Sequence, residues 1–291
     1  MGVFDQDENN APGRGSNFKG RLIIAVIIAL VGWFMYMNQV EENPVTGEKQ
    51  HVAISPDQEV RLGLESAPEM SRQMGGEVPA NDPRALEVQR IGQLIIDKTR
   101  ANKSPWKFKF HLLADEETVN AFALPGGQIF ITRGLYDKLQ TEGQLAGVLS
   151  HEIGHVIERH TAQQMAKSRL GQMLVVAVGT GVSDPNNPNS SYNATAIASM
   201  VNNVLQLRYS RRDESEADIW GLKLMEETGY NPRAMIQVME ILKAASGRGE
   251  SMEMFQTHPN PDLRIKQINA YLQAHPTPPG LTEGRNLKDL Y

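Results

Sequence analysis

The stretch His151-Glu-Ile-Gly-His155 restricts what this chain can fold into more than any other. Two histidines four apart belong on one helix face, about 40° from each other around the axis at about 100° per residue. On a helix, both imidazoles can hold one metal ion. Glu152 lies roughly 60–100° away, near enough to reach a water on that ion without competing as a ligand. Two neutral nitrogen donors, an adjacent base and a position left open are what a zinc hydrolase needs. Thr141, with Gln144 three residues on, is a capping-box start for this helix. Leu145, Val148, Leu149, Ile153, Val156 and Ile157 form an apolar stripe with His151 and His155 at its margin. The competing reading is a pair of surface histidines on an amphipathic helix.

A third ligand must come from elsewhere. The spacing His-x-x-Gly-x-x-His is absent, because Glu158 and Thr161 stand where its Gly and second His would be. His160 is out of step and reads as a solvated helix residue. The stretch Tyr209 to Asp218 offers a better source, since it leads into Ile219, Leu222, Leu224 and Met225 and ends at Gly229, a helix C-cap. Glu214 and Asp218 are four apart and share one face of that helix. Glu214 can complete the metal shell, and Asp218 can hold the far nitrogen of a liganding histidine and fix its tautomer. Glu216 points to the opposite side. A charge-rich helix start taken alone would be a solvated face.

Together, His151-Glu152-x-x-His155 and Glu214-x-x-Ala217-Asp218 resemble family forty-eight of the metallopeptidases, which holds the CAAX prenyl endopeptidases, the HtpX-type heat-shock proteases and their periplasmic and mitochondrial relatives. Asn120-Ala-Phe-Ala-Leu-Pro-Gly-Gly127 with Ile129-Phe-Ile-Thr-Arg-Gly134 resembles the strand and hairpin before the zinc helix in that family. His258-Pro259 with Arg264-Ile265 resembles its C-terminal signature. The four motifs occur in the family's order, over residues 53–273. Asn43-Pro-Val-Thr-Gly47 is similar to the branch that includes BepA and the mitochondrial Oma proteases. Those relatives are often lipoproteins or soluble, whereas this chain has no Cys and so no lipoprotein anchor.

The resemblance implies a gluzincin: one Zn2+ per chain on His151, His155 and Glu214, with Asp218 behind a ligand and Glu152 as the base that activates water for attack on a peptide carbonyl. It makes His258 the candidate oxyanion donor, supported by Arg264. In some members the corresponding His instead caps the zinc and holds the enzyme latent. The strand through Asn120, Ala121, Phe122 and Ala123 would be the edge that pairs with an extended peptide, giving broad specificity toward unfolded segments. The expected function is a membrane-anchored zinc endopeptidase that clears unfolded or misassembled envelope proteins. The competing class is a latent or chaperone-like binding protein that keeps the fold, with a fourth position closed by His258. Glu152 speaks against it, because a structural zinc site has no use for a base.

The N-terminus bears on location. Residues 1–18 are polar and rich in Gly and Asn, and read as a disordered cytoplasmic tail. Leu22 to Met37 is an uncharged run of 16 residues, preceded by Lys19 and Arg21, with Trp33 and Tyr36 toward its far end. A cleaved signal peptide lacks its small-x-small site, and a buried core helix would not be apolar all round. Residues 19–38 are therefore expected to be an uncleaved transmembrane signal anchor in contact with lipid through residues 22–37. Basic residues before the run, and Glu41 and Glu42 after it, place the catalytic domain outside, in the periplasm of a bacterium with its anchor in the inner membrane.

A linker over 39–54 leads to one domain over 55–275 and a C-terminal tail over 276–291. At 291 residues, 40% hydrophobic and 22% charged, the chain can bury one sizeable core. A net charge of −5 and a pI near 5.8 give no basic surface, so no nucleic-acid partner is expected. Ser55-Pro56-Asp57-Gln58 opens a helix by capping box, and Asp82-Pro83 opens another with Ile91, Leu94 and Ile95 buried. Trp106 to Leu112 reads as a strand, and Asn120 to Leu124 with Gln128 to Thr132 as a hairpin. Leu170 to Val182 reads as a core or lid helix, Ser183 to Asn193 as a mobile flap, and Thr195 to Leu207, Tyr209 to Thr228, Pro232 to Ser246 and Pro261 to Leu272 as further helices. The expected fold class is α+β: a zincin-like, mostly helical domain on a small antiparallel sheet.

Overall fold

The computed structural model describes residues 15–182, 208–246, 254, 257–258 and 261–290. The expected flap over 183–193 and helix over 195–207 lie outside the described residues, as does most of the N-terminal tail. The chain enters through α1 (Gly15–Asn38), turns through a short antiparallel ribbon of β1 (Val40–Glu42) and β2 (Lys49–His51), and continues into α2 (Pro56–Gln73) and α3 (Pro83–Lys98). Ser55 caps α2 with a complete capping box to Gln58, and Asp82 caps α3 by accepting from Arg84 N, both with Pro in the first turn. The anchor expected over residues 19–38 forms a helix, but among the described residues no helix is long and apolar enough to cross a membrane. α1 instead lies along α6 (His160–Val182), and its outward residues Leu22, Ile23, Leu30, Trp33 and Phe34 are exposed.

The central sheet has three strands, β3 (Lys109–Leu113), β4 (Ala121–Leu124) and β5 (Gln128–Thr132), in the order β3-β5-β4. The tight turn through Gly126 and Gly127 makes β4 and β5 the expected hairpin. The sheet is not purely antiparallel, however, because β3 runs parallel to β5 with Phe110 opposite Ile129. The strand expected from Trp106 begins only at Lys109; Trp106 is buried elsewhere, and its indole donates to Val156 O at 2.7 Å. α3 covers one face of the sheet, where Val88, Ile91 and Ile95 meet Phe110, Leu112, Ile129 and Ile131. On the other face Leu113, Leu124 and Phe130 pack on Ala67 and Met70 of α2. β4 forms an edge of the sheet and lies against α5 (Glu142–Ile157), which follows the short α4 (Arg133–Tyr136).

α5 is buried along its entire length. Thr141 caps it by accepting from Gln144 N, and the C-terminal segment clamps its first turn, with Glu142 N donating to Arg285 O and Gly143 N to Glu283 O. At its other end the chain leaves the helix at Glu158 and turns at Arg159, which has φ 57°. A left-handed non-glycine residue costs about 1–2 kcal/mol. The Arg159 side chain offsets that by donating to Glu59 Oε1 at 2.7 Å, Glu41 Oε2 at 2.9 Å and Ile54 O at 2.8 Å. α6 then starts in a new direction. The remaining helices are α7 (Arg211–Thr228), α8 (Ala234–Ser246) and α9 (Pro261–Ala274). Ser210 caps α7 through a capping box with Asp213, and Gly229 ends it at φ 104°, a left-handed position that glycine takes without a Cβ clash.

Candidate metal centre

α5 and α7 cross closely because the residues between them are small. A Cβ on Gly154 would stand 2.8 Å from Ala217 O, so only glycine lets the two backbones approach this far. That approach carries Glu214 and Asp218 onto the histidine face of α5. The ring Nε2 atoms of His151 and His155 lie 3.0 Å apart, and Glu214 places Oε2 3.6 Å from the first and Oε1 3.5 Å from the second. His258 completes the group, with Nδ1 2.9 Å from Glu214 Oε1 and 3.3 Å from His151 Nε2. All four side chains are buried, and each offers a ligand atom within 4.8 Å of the others. Donors about 2.0–2.1 Å from one tetrahedral zinc stand about 3.3 Å apart, so the set fits that ion. His258 Nε2 and both oxygens of Glu152 have no hydrogen-bond partner among the described residues. Buried polar atoms are rarely left so, which points to a ligand that satisfies them.

The surroundings set the charge states this chemistry requires. Burial pushes the Glu152 carboxyl up, and neighbouring His258 and His151 oppose this without cancelling it. A base raised in this way holds a proton more readily near neutral pH. Burial pushes the His155 imidazole well down, and His151 and His160 push the same way, which favours the neutral ligand form. For Glu214, burial works upward but is outweighed by His258 and Arg264, so its carboxyl stays below the usual range. Asp218 follows the same pattern with Arg264 dominant. For His258, burial works downward, yet Glu214 and Glu152 win and the imidazole is raised.

The structure brings His151, Glu152, His155, Glu214, Asp218, His258 and Arg264 together. Asp218 Oδ1 lies 3.0 Å from His151 Nδ1, on the far side of the ring from the cluster. Arg264 is placed differently from an oxyanion helper: its Nη1 forms an ion pair with Glu214 Oε2 at 2.8 Å, and it donates through Nε and Nη2 to Asp218 at 2.8 and 2.5 Å. Asn120, Ala121, Phe122 and Ala123 lie along the edge of the sheet and are not members of the metal cluster. Ala121 and Ala123 face the main core, whereas Phe122 packs on the smaller cluster behind the sheet. Glu216 is outside the metal cluster, and its carboxylate meets His160 and Arg212.

His160 is not a solvated helix residue. It is 1% exposed, with Nδ1 2.9 Å from His155 Nδ1. In sequence Tyr209 marks only the start of a helix segment, yet its ring stacks on His155 at 3.9 Å between centroids and 27° between planes. No periodicity marks either residue. The only available sign was their aromatic character close to the motif at each helix boundary.

Comparison with known proteins bears on the same residues. The sequence profile of peptidase family M48 matches residues 82–272. The mitochondrial metalloendopeptidase OMA1 of Schizosaccharomyces pombe is 30% identical over 243 residues, 83% of this chain and 69% of that protein. The beta-barrel assembly-enhancing protease of Escherichia coli K12 is 28% identical over 254 residues, 86% of this chain and 50% of that protein. Metalloprotease YcaL of the same organism is 28% identical over 167 residues, 57% of this chain and 62% of that protein. This chain thus spans about half the length of the E. coli assembly-enhancing protease.

Proposed function

Because the chain belongs to peptidase family M48 and is a metalloendopeptidase, we propose that it uses one zinc ion, held by His151, His155 and Glu214, to hydrolyse peptide bonds of unfolded or misassembled envelope proteins. One observation carries this reading: Glu152, with both carboxylate oxygens buried and unpartnered, beside a cluster of metal-ligand type. Zinc at such a site supplies a bound water whose pKa is brought toward ~7. Glu152 takes the proton of the attacking water and passes it to the leaving amine. The Nε2 atom of His258, 3.8 Å from Glu152 Oε1, faces the same space and is the candidate donor to the developing oxyanion. Arg264 positions Glu214 and Asp218 by pairing with both, and Asp218 orients His151. The edge strand from Asn120 to Ala123 offers its main chain to an extended peptide.

The substrate class and setting rest on likeness. One relative is named for assisting β-barrel assembly and another is a mitochondrial endopeptidase, which supports a role in protein quality control. The exposed apolar side of α1 supports attachment to a bilayer through residues 22–37, with the catalytic domain in the periplasm. A second reading is favoured by His258 itself. With His258 as a fourth donor the set is closed, as in a structural or latent site, so the ring must leave before water can enter. The test is cleavage of casein by the full chain, with and without a chelator. The reading expects chelator-sensitive cleavage restored by added zinc, and cleavage that persists in chelator would overturn it. His258→Ala should lower turnover by roughly 10²–10³ as an oxyanion donor, and a rise in turnover would favour the latent reading.

A further inference from the structure

His155 turns Nε2 toward His151 and Glu214, so its Nδ1 faces the other way, toward the start of α6. There it meets His160 Nδ1 at 2.9 Å; His160 Nε2 lies 3.2 Å from Glu216 Oε2, and Glu216 Oε1 accepts from Arg212 Nε at 2.7 Å. With both rings neutral and Nε2 of His155 free for a metal, only one proton arrangement satisfies this series. A lone pair free on His155 Nε2 leaves its proton on Nδ1, and a neutral imidazole has one donor and one acceptor nitrogen. That proton is donated to a bare Nδ1 of His160, whose own proton then sits on Nε2 and is donated to the carboxylate of Glu216. Each tautomer is fixed by the next group along. We propose that His160 and Glu216 are positioning residues that hold His155 in its metal-binding tautomer and orientation, an inference that rests on the metal-site reading above.

The backbone supports the assignment. In an uninterrupted helix, residue 160 would lie about 140° around the axis from residue 155 and could not reach its ring. The left-handed turn at Arg159 breaks the helix and brings His160 back over His155. Tyr209 stacks on the His155 ring, and its hydroxyl lies 3.2 Å from Thr161 Oγ1, so the plane of the ring is set as well. The two liganding histidines are thereby held by different means. Asp218 faces His151 directly, whereas His155 reaches a carboxylate only through a second imidazole. His160, Asp213 and Glu216 also place ligand-type atoms near one another. A second cation there is the competing assignment. It is the weaker one, because Asp213 Oδ2 already accepts from Ser210 N and Gln164 Nε2, and both ring nitrogens of His160 are engaged.

The test is zinc affinity and stoichiometry of the full chain, measured by competition with a fluorescent chelator, for wild type, His160→Ala, His160→Asn and His160→Gln. The Asn carboxamide oxygen can stand where Nδ1 stands and accept from His155, whereas Gln projects its amide toward the Nε2 position. The expected result is one zinc in wild type, affinity about 10–100-fold weaker in His160→Ala, recovery in His160→Asn and none in His160→Gln. In zinc-loaded wild type, the ¹⁵N shifts of His155 should show the proton on Nδ1. Unchanged affinity in a folded His160→Ala would overturn the proposal, as would rescue by Gln and not Asn, or loss of a second zinc. If His160→Ala does not fold, the Asn and Gln comparison decides alone. A wild type that binds no zinc would instead overturn the metal-site reading.

Discussion

Glu214 and Asp218 stand four apart on α7, yet their surroundings differ. Glu214 turns its oxygens to ring nitrogens of His151, His155 and His258 and meets Arg264 at Oε2 alone, whereas both oxygens of Asp218 are taken by Arg264 and His151. Glu214→Ala should therefore abolish tight zinc binding, while Asp218→Ala should weaken it by about 10–100-fold and keep the site. Competition titration with a chelator separates the two, and equal losses would contradict the assignment. That both acids share one face was legible in the sequence, because helical spacing alone puts them there. The position of Arg264 was not. A guanidinium that neutralises two buried acids looks the same in sequence as one aimed at a substrate, and only its distances decide. His160 escaped for another reason: its neighbour Arg159 takes a left-handed turn, and nothing in that residue's type announces it.

At the scale of elements, the site is the crossing of α5 and α7, and that crossing depends on Gly154 lying against Ala217. In Gly154→Ala the new Cβ would stand 2.8 Å from Ala217 O and 3.0 Å from Trp220 Cβ, so α7 must move away. Overpacking of this kind costs about 1–3 kcal/mol. It should also loosen the metal, since Glu214 moves with its helix. Denaturant unfolding and zinc titration of that variant should fall together, and a variant with wild-type stability and affinity would show that the helices have room to spare. The capped starts of α2, α3 and α5 were evident in the sequence because caps are local chemistry. The hairpin was evident for the same reason. The parallel pairing of β3 with β5 was not, because it follows from residues 114–120 carrying the chain past the place of β5 to the far edge, which no short pattern records.

At the scale of the molecule, the segment before the domain is stitched to the exit of α5. Asn43 Nδ2 donates to Ile157 O at 2.7 Å, Gln50 Nε2 to Glu158 O at 3.1 Å, and Arg159 gathers Glu41 and Glu59. Within this stitch, burial outweighs Arg159 and pushes Glu59 from 4.5 up to about 7. A carboxyl raised on folding binds its proton more tightly in the native state. Its contribution is therefore fully present below about pH 4.5 and lost as pH rises to about 7, a change on the order of 3 kcal/mol. Glu59→Gln should flatten that part of the stability profile, measured by denaturant unfolding between pH 5 and pH 8 (about the range in which the shift acts). An unaltered slope would show that Glu59 is ionised throughout. The apolar character of α1 was plain in the sequence, but its packing along α6 was not, since a run that is apolar all round does not say which side meets protein. The central claim is that zinc on His151, His155 and Glu214 works with Glu152 as the base. The most direct test is zinc content and casein turnover of Glu152→Gln beside wild type. One zinc per chain is expected in both proteins, with turnover lower by about 10²–10⁴ in the variant; full turnover in zinc-loaded Glu152→Gln, or a wild type without zinc, would rule out this pairing of metal and base.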